Sequence, residues 1–69
     1  MSMTGEVKSF NPSNRYGFIT SDGVDYRFHR NDWELRLPPT KGLKVDFLQV
    51  QTEKGMRATQ ITNHHEKEI

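Results

Sequence analysis

Glycine, proline, asparagine and aspartate interrupt this chain at short intervals, and the segments between them have the composition and alternation of β-strands. The alternation is clearest in the third segment, where the apolar Val24, Tyr26 and Phe28 fall on one face. We predict five strands, which span Thr4–Phe10, Tyr16–Ser21, Val24–Arg30, Leu43–Gln51 and Met56–Thr62. No long amphipathic helix fits between them, so the chain is predicted to be all-β.

The connections between these strands differ in kind. Asp22 and Gly23 form a dipeptide that favours a tight hairpin turn. Between Asn31 and Lys41 the alternation is lost and two consecutive prolines exclude a central strand, so we predict a long loop with one helical turn. The apolar positions of the fourth strand change face at Leu48, which predicts a β-bulge or a bend around a barrel.

The same alternation predicts which side chains fill the interior. We expect an inward-facing set made of Val7, Ile19, Val24, Tyr26 and Phe28. Trp33 lies beyond this alternation, and as a large aromatic residue it is expected to pack against one end of the barrel. In the fifth strand, Ala58 and Gln60 are expected on the face opposite to Ile61.

Five short strands with one long connection predict a small closed barrel, since closure removes the exposed edges of an open sheet. A two-sheet SH3-like barrel fits the bare pattern nearly as well. With 69 residues and no cysteine, the chain is expected to form one domain, residues 1–69, without disulfides or thiolate-bound zinc. We predict that the barrel covers about residues 4–63 and that residues 64–69 form a frayed tail.

The overall charge does not identify a function. Ten lysine and arginine residues against nine aspartate and glutamate residues leave a net charge of +1. A nucleic-acid binder would therefore have to be recognised from where its basic residues lie. No segment approaches the roughly 20 apolar residues of a membrane helix, and the N-terminus lacks the apolar run of a signal peptide. We expect a soluble, cytoplasmic protein with no membrane partner.

One group of residues in the second and third strands favours binding of single-stranded nucleic acid. Tyr16 and Phe18 are two apart and point the same way, and Arg27 and His29 of the next strand would lie across from them. Lys8 would come from the strand on the other side. Exposed aromatic rings stack on bases, at about 1–3 kcal/mol per base, and basic side chains contact phosphates. The residues alone leave open a second interpretation, in which both rings belong to the core.

A series of residues also follows a known order and spacing over about residues 4–63. The series consists of Gly5-x-Val7-Lys8-x-Phe10-Asn11, Tyr16-Gly17-Phe18-Ile19, Asp25 and His29, Gly42-x-x-Val45-x-Phe47, and Gly55-x-x-Ala58. It resembles the bacterial cold-shock domain family. The resemblance implies a five-stranded antiparallel OB-fold barrel with nucleic-acid chaperone activity and single-stranded RNA or DNA as its partner. Together with the chain's own basic residues, it predicts a nucleic-acid site made of Lys8, Phe10, Arg15, Tyr16, Phe18, Arg27, His29, Arg30 and Arg36.

The chain departs from the family pattern on the same surface. Ser9 stands where the family usually has Trp, and Arg15 belongs to a dipeptide that is usually Lys-Gly. Arg27 and Arg30 stand where two Phe are usual. We expect weaker, more salt-sensitive and less base-dependent binding than in an ordinary family member, because guanidinium groups replace only part of the lost stacking while they pair with phosphates.

The sequence is also compatible with other functions. The barrel could serve a protein partner, with Arg27 and Arg30 against an acidic surface. An enzyme is disfavoured because no nucleophile, base and orienting group occur together. His64 and His65 have no third ligand at a metal-binding spacing, and we expect no catalytic residue, metal or cofactor. We expect a monomer, with a strand-exchanged dimer through the loop 31–41 as the alternative.

Overall fold

The computed structural model describes residues 2–64, and the regular secondary structure there consists of five β-strands and one 3-10 helix. The five strands are β1 (Met3–Asn11), β2 (Tyr16–Ser21), β3 (Val24–His29), β4 (Lys44–Thr52) and β5 (Gly55–Asn63). All five predicted strands are confirmed, with ends that differ by at most one residue. A 3-10 helix, Arg30–Asp32, follows β3 and supplies the single turn expected at the start of the long loop. Arg30 therefore lies outside its predicted strand.

The strands close into a barrel in the order β1-β2-β3-β5-β4, with β4 pairing back onto β1. This closed arrangement confirms the predicted OB-fold barrel. Most neighbouring strands are antiparallel, as expected. The junction of β3 with β5 is parallel, and it pairs Arg27 with Arg57. A second parallel bridge, between Trp33 and Ile61, continues this junction beyond the end of β3.

The barrel interior is filled by nine apolar side chains that are at most 5% exposed. They are Val7, Ile19, Tyr26, Phe28, Trp33, Val45, Phe47, Ala58 and Ile61. The predicted burial of Trp33 is confirmed, and its indole Nε1 donates to the Leu37 carbonyl at 2.6 Å. The predicted burial of Val24 is wrong, since its side chain is 44% exposed. Val24 is the first residue of β3, directly after the hairpin turn, and it lies beyond the core.

An irregularity bends β4 and β5 around the barrel. The register between them shifts next to Leu48, where the sequence predicts a bulge or a bend, and the extra residue belongs to β5. In that part of β5, Gln60 has a left-handed φ of 50°. The alternation of β5 changes there, so Ala58 and Ile61 both face the core. The prediction that these two side chains lie on opposite faces is wrong for this reason.

The end of β5 is attached to the barrel through His64. Its Nδ1 lies 2.8 Å from Asp46 Oδ1, and the same carboxylate oxygen accepts from the Thr4 hydroxyl at 2.9 Å. Residues 65–69, the rest of the predicted tail, lie outside the described residues. Across residues 2–64, no helix has the length and apolar character needed to cross a bilayer.

Gly17 lies between two aromatic residues of β2 and is buried. A Cβ atom at this position would come within 2.5 Å of the Ser9 carbonyl oxygen and 2.8 Å of the Phe28 ring. That ring is fully buried and stacks on the rings of Phe10 and Trp33, at centroid distances of 5.9 and 5.7 Å. The missing side chain at Gly17 is what allows β2 to lie so close to β1 and to the core aromatic rings.

We expect Gly17→Ala to lower the free energy of unfolding by about 3 kcal/mol, because the new methyl group must displace backbone and a core ring. Urea unfolding measures the change. Gly23→Ala is the matched control, since nothing lies within 4 Å of its Cβ and only its φ of 80° opposes the substitution. That strain costs about 1 kcal/mol. Equal losses in the two variants would contradict the packing argument.

Candidate nucleic-acid interface

Two aromatic side chains of β2 lie on the outside of the barrel. Tyr16 is 39% exposed and Phe18 is 42% exposed, whereas Gly17 between them is buried. The register places Tyr16 opposite His29 and Phe18 opposite Arg27. Opposed residues of antiparallel strands share a face, so these four side chains form one surface, which we call the ring face. The interpretation of both rings as core residues is therefore wrong.

The two rings have different surroundings. Tyr16 meets the His29 ring nearly edge-on, at a centroid distance of 4.8 Å, and the Arg27 guanidinium carbon lies 5.2 Å from the Tyr16 centroid. This cation–π contact covers one face of the tyrosine ring and is worth about 0.5–1 kcal/mol at an exposed site. Phe18 has no such ring contact among the described residues, and its neighbour on β1 is the small Ser9. Phe18 therefore presents the more open stacking surface.

Hydrogen bonds at the end of β3 orient His29. Its Nδ1 accepts from the Asn31 amide at 3.0 Å, and its own amide donates to Asp32 Oδ2 at 3.1 Å. Because Nδ1 acts as the acceptor, a neutral His29 carries its proton on Nε2. The opposite edge of the ring thus offers an N–H group that can donate to a base or to a phosphate oxygen.

Arg57 extends the basic part of this surface onto β5, and the sequence does not predict it as a site residue. It pairs with Arg27 across the parallel junction, and its guanidinium donates to Asp32 Oδ2 at 3.0 Å. The same carboxylate accepts from the Thr59 hydroxyl at 3.2 Å. Asp32 therefore holds Arg57 and the backbone of His29 in place on two neighbouring strands.

Lys8 lies on β1 beside the ring face, where the register against β2 shifts between Val7 and Ser9. Its Nζ forms a salt bridge with Asp25 Oδ2 at 2.8 Å, and both side chains are well exposed. The hydrogen bond from Lys8 holds the pKa of Asp25 below its usual value. An exposed pair adds little stability. Its main effect is to place a carboxylate against the ammonium group that is predicted to contact phosphate.

Phe10, Arg15 and Arg30 lie beside the ring face, in an open cleft of about 620 Å³ that we call the arginine cleft. The cleft is also lined by Pro12, Asn31 and Trp33. The Phe10 ring is half-buried and stacks on the buried Phe28, so it is part of the core packing. The Arg30 amide donates to the Arg15 carbonyl at 2.8 Å, which continues the pairing of β2 with β3 past the ring face.

Arg36 lies in the loop after the 3-10 helix. It lines a separate cleft with Glu34, Leu35, Leu37 and Asn63. Within residues 2–64, no hydrogen bond or ion pair joins Arg36 to the ring face. Its contact with nucleic acid stays a prediction.

A comparison of the sequence with models of protein families agrees with the barrel fold and with the exposed rings of β2. The model of the 'cold-shock' DNA-binding domain matches residues 3–64, nearly the whole chain. This chain belongs to the cold-shock DNA-binding domain family. The resemblance found in the sequence is thereby confirmed, and the chain is a domain of a nucleic-acid-binding family. Among curated proteins, no significant match is found.

The cations of this cold-shock domain are not equally available. Lys8 is partly neutralised by Asp25, and Arg57 by Asp32, whose side chain is only 12% exposed. Arg27 instead lies over an aromatic ring. The domain therefore combines two exposed rings with basic groups that are held in position by neighbouring side chains.

We expect Lys8→Met to raise the pKa of Asp25 toward its usual value, because methionine removes both the hydrogen bond and the charge that favour the carboxylate. The NMR signal of the Asp25 carboxyl carbon, followed against pH, measures the shift. Since the folded-state pKa lies below the unfolded one, the pair stabilises the fold above about pH 3.9. That stability is lost as the pH falls through the lower folded-state pKa. Lys44→Met is the control, and identical titrations of wild type and Lys8→Met would refute the assignment.

Proposed function

We propose that this cold-shock domain binds single-stranded RNA or DNA on its ring face, as a monomer, and acts as an RNA chaperone in the cytoplasm. The proposal is based on the exposure of Tyr16 and Phe18 on the same face as Arg27 and His29. Proteins that bind single strands without sequence preference stack the bases on aromatic rings and contact the phosphates with basic side chains. The lack of cysteine fits a reducing compartment.

The spacing of the two rings favours an unpaired strand. Side chains two apart on a β-strand stand about 6.8 Å from each other. Bases stacked in a duplex are about 3.4 Å apart along each strand. Two consecutive bases can therefore stack on Tyr16 and Phe18 only if the strand is extended and the bases are unstacked from each other. Paired bases also keep their faces inside the duplex, where no protein ring reaches them.

Chaperone action follows from this selectivity without a chemical step. A protein that binds only the unpaired state of an RNA shifts the folding equilibrium of that RNA toward unpaired strands. The shift is limited by the difference in affinity for the two states. Neither a nucleophile nor an energy source is needed, and we propose none.

On this surface, contacts between basic side chains and phosphates contribute more to binding than the stacking of bases on rings. Ser9 offers no ring beside Phe18, and one face of Tyr16 is covered by Arg27. A base that stacks at Tyr16 must use the other face or displace the guanidinium, which can itself stack on the base. We therefore propose fewer stacked bases and a larger share of phosphate contacts than two open rings would give.

We expect Phe18→Ala to weaken binding of a labelled oligo-pyrimidine by about 1–3 kcal/mol, as measured by fluorescence anisotropy. Tyr16→Ala is expected to cost less, because Arg27 is released from the ring and can stack in its place. Val24→Ala is the control, since it truncates an equally exposed apolar side chain away from the ring face. Unchanged affinity in both ring variants, with the fold intact, would show that the face serves another partner such as a protein.

We expect the affinity for the same oligonucleotide to fall steeply with salt, with a slope of about −0.7 for each phosphate contact on a logarithmic scale. Arg27→Gln is expected to make the slope shallower by about one such contact. A titration between about 50 and 200 mM salt measures it. A flat response in the wild type would contradict the proposed share of phosphate contacts.

A further inference from the structure

The arginine cleft is a concave surface next to the ring face, and it contains none of the four ring-face side chains. It is bounded on one side by the turn between β1 and β2, residues 12–15, and on the other by the 3-10 helix that begins at Arg30. The two arginines are adjacent because the amide of one donates to the carbonyl of the other. A strand that leaves the ring face past Tyr16 and His29, the last opposed pair of β2 and β3, reaches this cleft next.

The charge of the arginine cleft is not compensated. Its lining contains two guanidinium groups and no carboxylate among the described residues. The Arg15 side chain makes no hydrogen bond or ion pair within residues 2–64. On the neighbouring surface, by contrast, Lys8 and Arg57 each touch an aspartate. Two unpaired positive charges in one concave surface attract an anion more strongly than charges that already have a partner.

The walls of the cleft favour a phosphate over a base. Trp33 is only 4% exposed and stacks on Phe28, and the Phe10 ring stacks on the same residue. Trp33 is almost fully covered and Phe10 is half-buried, so the cleft offers a base less aromatic surface than the ring face does. The Arg30 guanidinium donates a 3.3 Å hydrogen bond to the Trp33 carbonyl, which orients it along the wall of the cleft. Planar guanidinium groups are well suited to phosphate oxygens.

We propose that the arginine cleft is a phosphate-binding site that holds the backbone of a single strand where it leaves the ring face. The proposal rests on the proposed function of the ring face. Two sources of phosphate have the required chemistry. A terminal phosphomonoester carries a charge of about −1.5 to −2 at pH 7, which matches two guanidinium groups, whereas an internal phosphodiester carries a single negative charge.

The test uses Trp33 as a local reporter, because it lines the cleft and is the single tryptophan of the chain. Its fluorescence is followed while an abasic deoxyribose-phosphate oligomer, which has phosphates but no bases, is added with and without a terminal phosphate. Arg15→Gln is expected to weaken this binding by about threefold to tenfold, since one charge-assisted contact is lost. Phe18→Ala is expected to leave it unchanged. Arg36→Gln removes an arginine of another cleft and controls for net charge.

The outcomes separate the possibilities. If the terminal phosphate strengthens binding in the wild type but not in Arg15→Gln, the cleft takes a strand end. If Arg15→Gln weakens both oligomers equally and Arg36→Gln does not, it takes an internal phosphate. Equal effects of Arg15→Gln and Arg36→Gln would overturn the phosphate site. Should Arg15→Gln lose its fold, Arg30→Gln removes the other guanidinium of the cleft and is expected to give the same loss of about threefold to tenfold. If a base-containing oligonucleotide binds no more tightly than the abasic one, the bases add nothing, and the proposed ring face is wrong while the cleft stands.

Discussion

The contact between Phe28 and Gly17 is the one on which both the core and the outer surface depend. Phe28 fills the space that a side chain at position 17 would need, and it is fully buried. Because side chains alternate along a strand, an inward-facing glycine places its two neighbours, Tyr16 and Phe18, on the outside. The pair of exposed rings is therefore a consequence of how the core is packed. A change that moved Phe28 would move the rings as well.

As the contact between Phe28 and Gly17 sets the position of the rings, Asp32 sets the position of the basic groups. One carboxylate accepts from the His29 amide, the Arg57 guanidinium and the Thr59 hydroxyl. These donors lie on β3 and β5, which otherwise pair directly at a single position. The Asp32 side chain thus reinforces the junction of β3 with β5, which has the fewest direct strand pairs in the barrel. This junction lies where Arg57 extends the basic part of the ring face. Fixed donors lose less entropy on binding than free ones, which favours recognition of a strand by a small surface.

Alternation and turn residues were sufficient to predict the five strands and the placement of two rings on the same side of one strand. They fail where geometry depends on distant contacts or on one residue's backbone. Glutamine is not a residue type that predicts a left-handed φ, yet the left-handed φ of Gln60 changes the alternation of β5 and places the Ile61 side chain in the core. The neighbourhood of Arg27 and Arg57 arises from a parallel junction between segments about 30 residues apart, a contact that local patterns do not encode.

The same distinction explains how a chain with a net charge of +1 can present a strongly basic site. Motif spacing places Arg27 and Arg30 on one surface, but the chain turns into a 3-10 helix after His29, and Arg30 joins Arg15 in the cleft instead. Acidic residues accompany the basic groups around the ring face and are absent from the lining of the arginine cleft. Because attraction between exposed charges fades over about 10 Å in salt, the local arrangement matters more than the sum. In the proposed function, bases and phosphates are bound on adjacent but distinct surfaces, and the buried aromatic stack of Phe10, Phe28 and Trp33 lies beneath the second of them.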